Sequence, residues 1–169
     1  MAKLIILEGL SRTGKTTISN RLKDEGLGRI ISLVDKRPIN TDIQSFYKGI
    51  GLISNEFYKA FPEETFILDR SFLSELVYCD FFERQPSADK EYIDDLLENN
   101  EVILFYLYND YSDYQKRSPK DRHIFTEDEY EKLRKLFLTN KLNLSIESFS
   151  IDTSTKNLEQ VYNIIKNQI

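Results

Sequence analysis

Apolar residues along this chain fall into short, nearly continuous runs separated by longer stretches of mixed character. The runs at residues 4–7, 30–34, 65–68, 102–108 and 149–152 indicate buried strands. Strands without polar alternation are typical of parallel sheets whose two faces are both covered. The pattern therefore predicts a parallel sheet packed between layers of helices.

The stretches between these runs have the spacing and boundary residues of helices. We expect helices at residues 17–25, 42–60, 72–82, 89–99, 111–117, 126–142 and 157–166. Thr126 and Glu129 form a capping box at the start of the sixth helix, and Ser71 is placed to cap the third. The alternation predicts one α/β domain over residues 1–169 without an interdomain linker.

Residues 9–16, with the sequence GLSRTGKT, match the phosphate-binding loop pattern G-x-x-x-x-G-K-[ST]. The loop lies between the first predicted strand and the first predicted helix, which is the context that the pattern requires. Gly9 and Gly14 let the backbone close around a phosphate, with the helix N-terminus behind it. Lys15 is expected to contact the β- and γ-phosphates, and Thr16 to ligate Mg²⁺. The predicted nucleotide-binding residues here are Gly9, Leu10, Ser11, Arg12, Thr13, Gly14, Lys15, Thr16 and Thr17.

The composition narrows the classes of partner. A net charge of −5 argues against a polynucleotide and favours a small-molecule ligand. Cys79 is the only cysteine, so no disulfide forms within the chain, and a reducing, cytoplasmic location is expected. The apolar runs are far shorter than a membrane span, and Met1 to Lys3 lead directly into a strand. We therefore expect neither a membrane segment nor a secretory leader.

Two polar clusters directly follow predicted strands, at the edge where parallel α/β sheets bind ligands. Asp69, Arg70 and Ser71 follow the third strand. The carboxylate can hold Mg²⁺ and the arginine can bind a phosphate, although a helix cap with a surface ion pair is an alternative. Thr153 and Ser154 follow the last strand. They can border a nucleotide base or simply begin the last helix.

A dense basic stretch, KRSPKDRH at residues 116–123, lies between two predicted helices of an otherwise acidic chain. A loop of this kind can close over a transferring phosphoryl group and exclude water. A solvated basic turn is the alternative. His123 is the only histidine, and it has no cysteine or second histidine nearby with which to form a zinc site.

At these motifs the chain resembles the thymidylate kinases and the related nucleoside-monophosphate and deoxynucleoside kinases. The resemblance covers nearly the whole chain and keeps the order of the motifs. They are Glu8-Gly9, residues 14–17, Asp69-Arg70 with Ser74, Asp121-Arg122 and residues 151–154. Arg12, inside the loop, is similar to the arginine of those thymidylate kinases that carry a catalytic arginine there. The chain also has lid arginines, so the choice between the two stays open.

The resemblance implies a three-layer nucleoside-monophosphate-kinase fold with a five-stranded parallel sheet, helices on both faces, and a short lid around residues 116–125. It implies ATP as phosphoryl donor, Mg²⁺ as cofactor, and a deoxynucleoside monophosphate as acceptor, dTMP or a related one. The phosphoryl group would be stabilised by Lys15, Arg12, Arg117 and Arg122. Thr16 and Asp69 would hold the metal, and Arg70 the phosphate of the acceptor. A homodimer is left open.

The chain departs from the family where the acceptor base binds. Ser11 replaces an acid of the loop, and the family's Arg-Glu-Pro after the second strand is Lys-Arg-Pro at residues 36–38. A carboxylate used there as a base is therefore missing, and Asp35 is the nearest substitute. The candidate acceptor-binding residues are Asp35, Arg37, Phe46, Asn55, Arg70 and Ser74. The short lid and substrate region resemble the compact kinases of phages and other viruses.

Other functions stay open beside a monophosphate kinase. A deoxynucleoside kinase, or a kinase acting on a 5′-hydroxyl or modified base of a polynucleotide, uses the same phosphate-binding loop. A nucleotide-driven switch would need an Asn-Lys-x-Asp motif for guanine. The nearest sequence, NKLN at residues 140–143, lacks the aspartate and lies at the end of a predicted helix.

Overall fold

The computed structural model describes residues 1–31, 42–86, 90–117 and 124–169, without the side chains of Ile43, Gln44, Phe46 and Tyr47. Its strands form one five-stranded sheet in the order β2-β3-β1-β4-β5. Every neighbouring pair is parallel. The strands are β1 (Ala2–Gly9), β2 (Arg29–Ile31), β3 (Thr65–Asp69), β4 (Asn100–Tyr108) and β5 (Glu147–Asp152). The predicted parallel sheet is confirmed. Residues 32–34, which were predicted to continue the second strand, lie outside the described residues.

Helices follow the strands as the pattern predicts, with ends within two residues of the expected positions. They are α1 (Lys15–Asp24), α2 (Ile43–Ala60), α3 (Phe72–Phe81), α4 (Lys90–Asn99), α5 (Tyr111–Lys116), α6 (Glu127–Leu142) and α7 (Leu158–Lys166). The capping box of Thr126 and Glu129 at the start of α6 is confirmed. Within the described chain, no helix is long and apolar enough to cross a membrane.

Alternate residues of the strands pack into two separate cores, one on each face of the sheet. In β1, Leu4 and Ile6 join the core covered by α2, α3, α4 and α6. Ile5 and Leu7 join the core covered by α1 and α7. All four side chains are at most 1% exposed. When both faces of a strand are covered, apolar and polar side chains do not alternate along it, and this explains the apolar runs in the sequence.

The parallel register brings the ends of four strands to one edge of the sheet. Leu7 pairs with Asp69 and Gly9 with Leu107, while Tyr108 pairs with Asp152. The loops after β1, β3, β4 and β5 therefore lie side by side. The sequence clusters that follow these strands meet at this edge, where ligands of parallel α/β sheets bind.

Candidate active site

The phosphate-binding loop leaves β1 at Gly9, against the backbone of the neighbouring strand. A side chain at Gly9 would place its Cβ 1.9 Å from the carbonyl oxygen of Leu107, and the φ angle there is 126°. Gly14 has a φ of 89° and precedes α1. Both glycines are therefore required by geometry. Among the described residues, no side chain caps α1 and its first turn holds no acid, so its N–H groups can bind an anion.

The ammonium of Lys15 lies against the loop itself. It is 5% exposed. Its Nζ donates to the carbonyl of Leu10 and to the hydroxyl of Thr13, the latter at 3.1 Å. Thr13 Oγ1 in turn donates to the same Leu10 carbonyl at 3.0 Å. Lys15 therefore lies within reach of the surface that a phosphate would occupy, where phosphate oxygens are stronger acceptors than these neutral ones.

The two predicted metal-binding residues are in direct contact. Thr16 Oγ1 donates to Asp69 Oδ2 at 2.6 Å, which joins the start of α1 to the end of β3. A hydroxyl and a carboxylate are ligands suited to Mg²⁺, which usually keeps several waters and binds few protein groups. In the part of the chain that the structure describes, no group of three or more His, Cys, Asp or Glu side chains is arranged to hold a metal ion. The residues present therefore fit a magnesium ion shared with a nucleotide.

Arg70 is fixed just after β3 by its backbone and by its side chain. Its φ of 74° lies in the left-handed region, and its N–H donates to the Leu7 carbonyl at 3.0 Å. The guanidinium donates to the carbonyl of Gly9 at 3.1 Å and to the hydroxyl of Ser74 at 3.0 Å. Burial alone would lower the pKa of Arg70, but Tyr78, Glu8 and Asp69 outweigh it and the pKa is raised. The guanidinium therefore stays charged.

A buried carboxylate from β1 supports this turn. Glu8 is fully buried. It accepts from the N–H of Ser71 at 2.6 Å, the hydroxyl of Ser71 at 2.9 Å and the N–H of Ser74 at 3.1 Å. It also accepts from the hydroxyl of Ser74, the group that accepts from Arg70. Glu8 thus stabilises the start of α3 and, through Ser74, orients the guanidinium of Arg70.

The prediction that the Ser71 side chain caps α3 is wrong. Ser71 occupies the cap position, but its side chain makes no capping hydrogen bond. Its hydroxyl donates to Glu8, whose carboxylate caps the helix instead. A carboxylate is the stronger acceptor, and it satisfies two backbone N–H groups at once. Sequence analysis gave Glu8 no role, although an acid directly before the first glycine of the loop was the available signal.

A cavity of 1120 Å³ opens beside Arg70 between α2, α3 and α4. Of the predicted acceptor-binding residues, it brings together Asn55, Arg70 and Ser74. The rest of its lining is mixed and includes five aromatic, six acidic and four basic residues. The aromatic residues are Tyr58, Phe72, Tyr78, Phe82 and Tyr92, none of which was predicted from the sequence. Asp35, Arg37 and the side chain of Phe46 lie outside the described residues.

Asn55 ties two walls of this cavity together. It is 4% exposed, and its Nδ2 donates to Asp95 at 2.9 Å and to the Tyr92 carbonyl at 3.4 Å. Lys59, 3.0 Å from Asp95, is the main cause of the lowered pKa of that carboxyl, and Asn55 adds to it. Asn55 therefore joins α2 to α4, and its contact with an acceptor stays a prediction.

Arg12 and Arg117 each donate a hydrogen bond to the backbone carbonyl of the other. Arg12 donates to the carbonyls of Tyr114 at 2.7 Å and of Arg117 at 3.1 Å. Arg117 donates to the carbonyls of Arg12 at 2.8 Å and of Thr153 at 2.9 Å. Arg117 also pairs with Asp113 at 2.7 Å. The phosphate-binding loop, the end of α5 and the loop after β5 are thereby joined, while Arg122 and His123 lie outside the described residues.

Thr153 and Ser154 follow β5 and lie next to the end of β4. Thr153 N–H donates to the Tyr108 carbonyl at 2.8 Å, and the Ser154 hydroxyl accepts from the N–H of Asp110, also at 2.8 Å. These bonds fix the loop after β5 to the loop after β4. A contact of either residue with a nucleotide base stays a prediction.

No protein-family model and no curated protein matches the sequence. Solved structures do match, over almost the whole chain. The YorR protein of Bacillus subtilis, in complex with phosphorylated GDP, is 21% identical over 98% of this chain and 94% of its own, with a TM-score of 0.72. Thymidylate kinase from Candida albicans is 21% identical over 99% of this chain and 91% of its own, with a TM-score of 0.68. Deoxyadenosine kinase from M. mycoides with bound dATP is 21% identical over 98% of each chain, with a TM-score of 0.61.

The chain therefore has the P-loop α/β fold of thymidylate and deoxynucleoside kinases. The predicted fold class, a three-layer arrangement around a five-stranded parallel sheet, is confirmed. At 21% identity the likeness defines the fold.

Proposed function

We propose that this protein is a kinase that transfers the γ-phosphoryl group of ATP to a deoxynucleoside monophosphate, dTMP or a related one. One observation carries the proposal. The guanidinium of Arg70 donates to the Gly9 carbonyl of the phosphate-binding loop and also lines the large cavity. One fixed cation thus lies between the phosphate-binding loop and the cavity, which are the proposed donor and acceptor sites. An acceptor that already carries a phosphate would place that phosphate at Arg70.

The donor side follows from the loop. The N–H groups at the start of α1 would bind phosphate oxygens, and Lys15 would neutralise charge on the β- and γ-phosphates. Thr16 and Asp69 would hold Mg²⁺, which supplies charge neutralisation at the phosphates when bound. Arg12, Arg117 and Arg122 are the proposed stabilisers of the transferring group. Thr153 and Ser154 are proposed to border the base of ATP.

The acceptor side follows from the cavity. The partly exposed rings of Tyr78, Phe82 and Tyr92 offer flat apolar surface for a base, and Arg70, which also contacts Gly9 of the phosphate-binding loop, lines the same cavity. Asn55, Asp35, Arg37 and Phe46 stay proposed contacts of the acceptor. The lid around residues 116–125, the single-domain organisation, the homodimer, the cytoplasmic location and the resemblance to phage kinases also stay predictions.

The test is phosphoryl transfer from γ-labelled ATP with Mg²⁺ to a panel of deoxynucleosides, their monophosphates and 5′-hydroxyl oligonucleotides. We expect monophosphates to be the preferred acceptors. Preferential labelling of nucleosides would identify a deoxynucleoside kinase, and labelling of oligonucleotides a polynucleotide kinase. ATP hydrolysis without transfer to any acceptor would contradict the proposed class of enzyme.

Arg70→Ala tests the observation that carries the proposal. Loss of a charged phosphate contact should lower kcat/KM for the monophosphate by about 100-fold or more, with little change in KM for ATP. Arg29→Ala is the matched control, since Arg29 begins β2 at the opposite edge of the sheet and pairs with Glu64. An equal loss of apparent ATP affinity in Arg70→Ala would refute the role given to Arg70.

A further inference from the structure

Tyr114 makes an extensive contact with the arginine of the phosphate-binding loop. The guanidinium of Arg12 lies over the ring of Tyr114, 4.1 Å from its centre, and donates to its backbone carbonyl at 2.7 Å. Tyr114 is fully buried in α5, outside every motif used above. A cation held over an aromatic face and by a carbonyl of the same residue has a restricted set of positions.

Arg12 is constrained at its backbone as well as at its side chain. Its φ of 62° lies in the left-handed region, which is unfavourable for a residue with a side chain. The carbonyl accepts from Arg117, and the guanidinium reaches the carbonyls at the end of α5. The last carbonyls of a helix have no partner within it and carry partial negative charge. The end of α5 therefore binds the cation that the loop presents.

Tyr114 is itself held by α6 and the residues before it. Its ring stacks on Tyr130 with the ring centres 4.6 Å apart. Its hydroxyl accepts from the N–H of Phe125 at 3.1 Å, directly before the cap of α6 at Thr126. Buried contacts thus fix the orientation of the Tyr114 ring, whose face contacts Arg12. A ring with a fixed orientation can restrict the position of the guanidinium.

We propose that Tyr114 is a positioning residue that holds the guanidinium of Arg12 for phosphoryl transfer. The inference rests on the proposed function, in which Arg12 stabilises the transferring group. A free arginine side chain would lose rotamer freedom at the moment of reaction, whereas one restrained in advance has already lost it. Tyr114 therefore acts on kcat through Arg12.

The test uses shape-preserving changes at position 114, because removing a buried ring can unfold the domain. Tyr114→Phe keeps the ring and, among the described contacts, loses the hydrogen bond from the N–H of Phe125. Replacing Tyr114 by phenylalanines with one, two and three ring fluorines then weakens the attraction for a cation at nearly constant shape. We expect Tyr114→Phe to stay within about threefold of wild-type kcat, and kcat to fall progressively, by roughly tenfold overall, along the fluorinated series. KM for ATP and the melting temperature should change little.

The same series in an Arg12→Met background gives the decisive comparison. With no guanidinium to hold, fluorination should leave kcat unchanged, so the two changes are non-additive. Tyr130→Phe is the control, because Tyr130 is equally buried and stacks on Tyr114, while its hydroxyl donates to Asn109. Its effect on kcat should be the same in the wild-type background as in the Arg12→Met background.

Each outcome decides between the two proposals. A series that is flat with Arg12 present, or equally steep with Arg12→Met, would overturn the positioning role and leave the kinase proposal standing. A wild-type protein that transfers no phosphoryl group to any acceptor would refute the proposed function and this inference with it.

Discussion

Replacing Ser74 by alanine should selectively weaken binding at the proposed acceptor site. The Ser74 hydroxyl donates to Glu8 and accepts from Arg70 at 3.0 Å, so the change removes a hydrogen bond that orients that guanidinium. A hydrogen bond to a charged group contributes about 1.5–3 kcal/mol. If the lower value is lost at the phosphate of the acceptor, kcat/KM for the acceptor falls about tenfold.

The change should destabilise the fold without unfolding it, because Glu8 keeps three described donors. Ser71 N–H, Ser71 Oγ and the backbone N–H of residue 74 do not depend on the Ser74 side chain. We expect a loss of about 1.5–3 kcal/mol in the free energy of unfolding, which lowers the melting temperature of a chain this size by about 3–12 °C. The acceptor effect should therefore be measurable on folded protein.

The assay is steady-state transfer with the acceptor and ATP varied separately, next to thermal unfolding. Ser150→Ala is the matched control, because its hydroxyl also accepts from a charged side chain, the buried Lys141 at 2.8 Å, and does not line the cavity. It should lose some stability with unchanged acceptor kinetics. The reasoning is refuted if both variants lose acceptor kcat/KM equally, or if Ser74→Ala raises KM for ATP as much as KM for the acceptor.

Three further predictions concern the loop, a glycine and alkaline pH. Lys15→Ala should lower kcat by about 100-fold or more with the melting transition intact, and near-normal turnover would contradict the phosphate-binding assignment. Gly9→Ala should cost more than about 3 kcal/mol of unfolding free energy, because its Cβ meets a carbonyl at 1.9 Å and φ is 126°. Gly26→Ala, with a φ of 75° and no neighbour within 4 Å, should cost only about 1 kcal/mol. Equal urea midpoints for the two variants would show that the close approach of β4 to Gly9 does not determine the loss of stability. Burial, reinforced by Glu75, raises the pKa of Cys79 from 9.0 to about 11, and burial raises that of Tyr92 from 10.0 to about 12. The unfolded chain releases these protons first, so stability should be fully present below about pH 9 and decline from there to about pH 12. A urea midpoint that is constant from about pH 8 to 11.5 would exclude this.

The elements of the fold were predictable because local patterns determine them. The apolar runs follow from strands buried on both faces, and glycines and caps mark where helices begin and end. The contact of Thr16 with Asp69 was also predictable, since both follow parallel strands and must meet at the same edge. The pattern of apolar residues did not predict where β4 and β5 begin. Their first residues, Asn100 and Glu147, are polar and belong to the strands through backbone pairing with the neighbouring strand.

The features that sequence analysis missed depend on residues far apart in the chain. Ser71 has every local property of a cap, yet Glu8 on another strand is a better acceptor for the same N–H groups. The hydrogen bonds between Arg12 and Arg117 could not be predicted, because the sequence does not show that the end of α5 lies beside the phosphate-binding loop. The rings of Tyr78 and Tyr92 look like ordinary core residues until α3 and α4 are placed around a cavity.

β1, which carries the phosphate-binding loop, lies in the middle of the sheet. Ile5 pairs with Ile67 on one side and with Ile103 on the other, so the strand that carries the phosphate-binding loop is inserted between two later ones. Such long-range pairings form slowly, and partial structures lack one wall of the site. A nucleotide should therefore bind only the completely assembled sheet. Because it binds no earlier state, it should protect the whole described sheet, including β5, from proteolysis and unfolding.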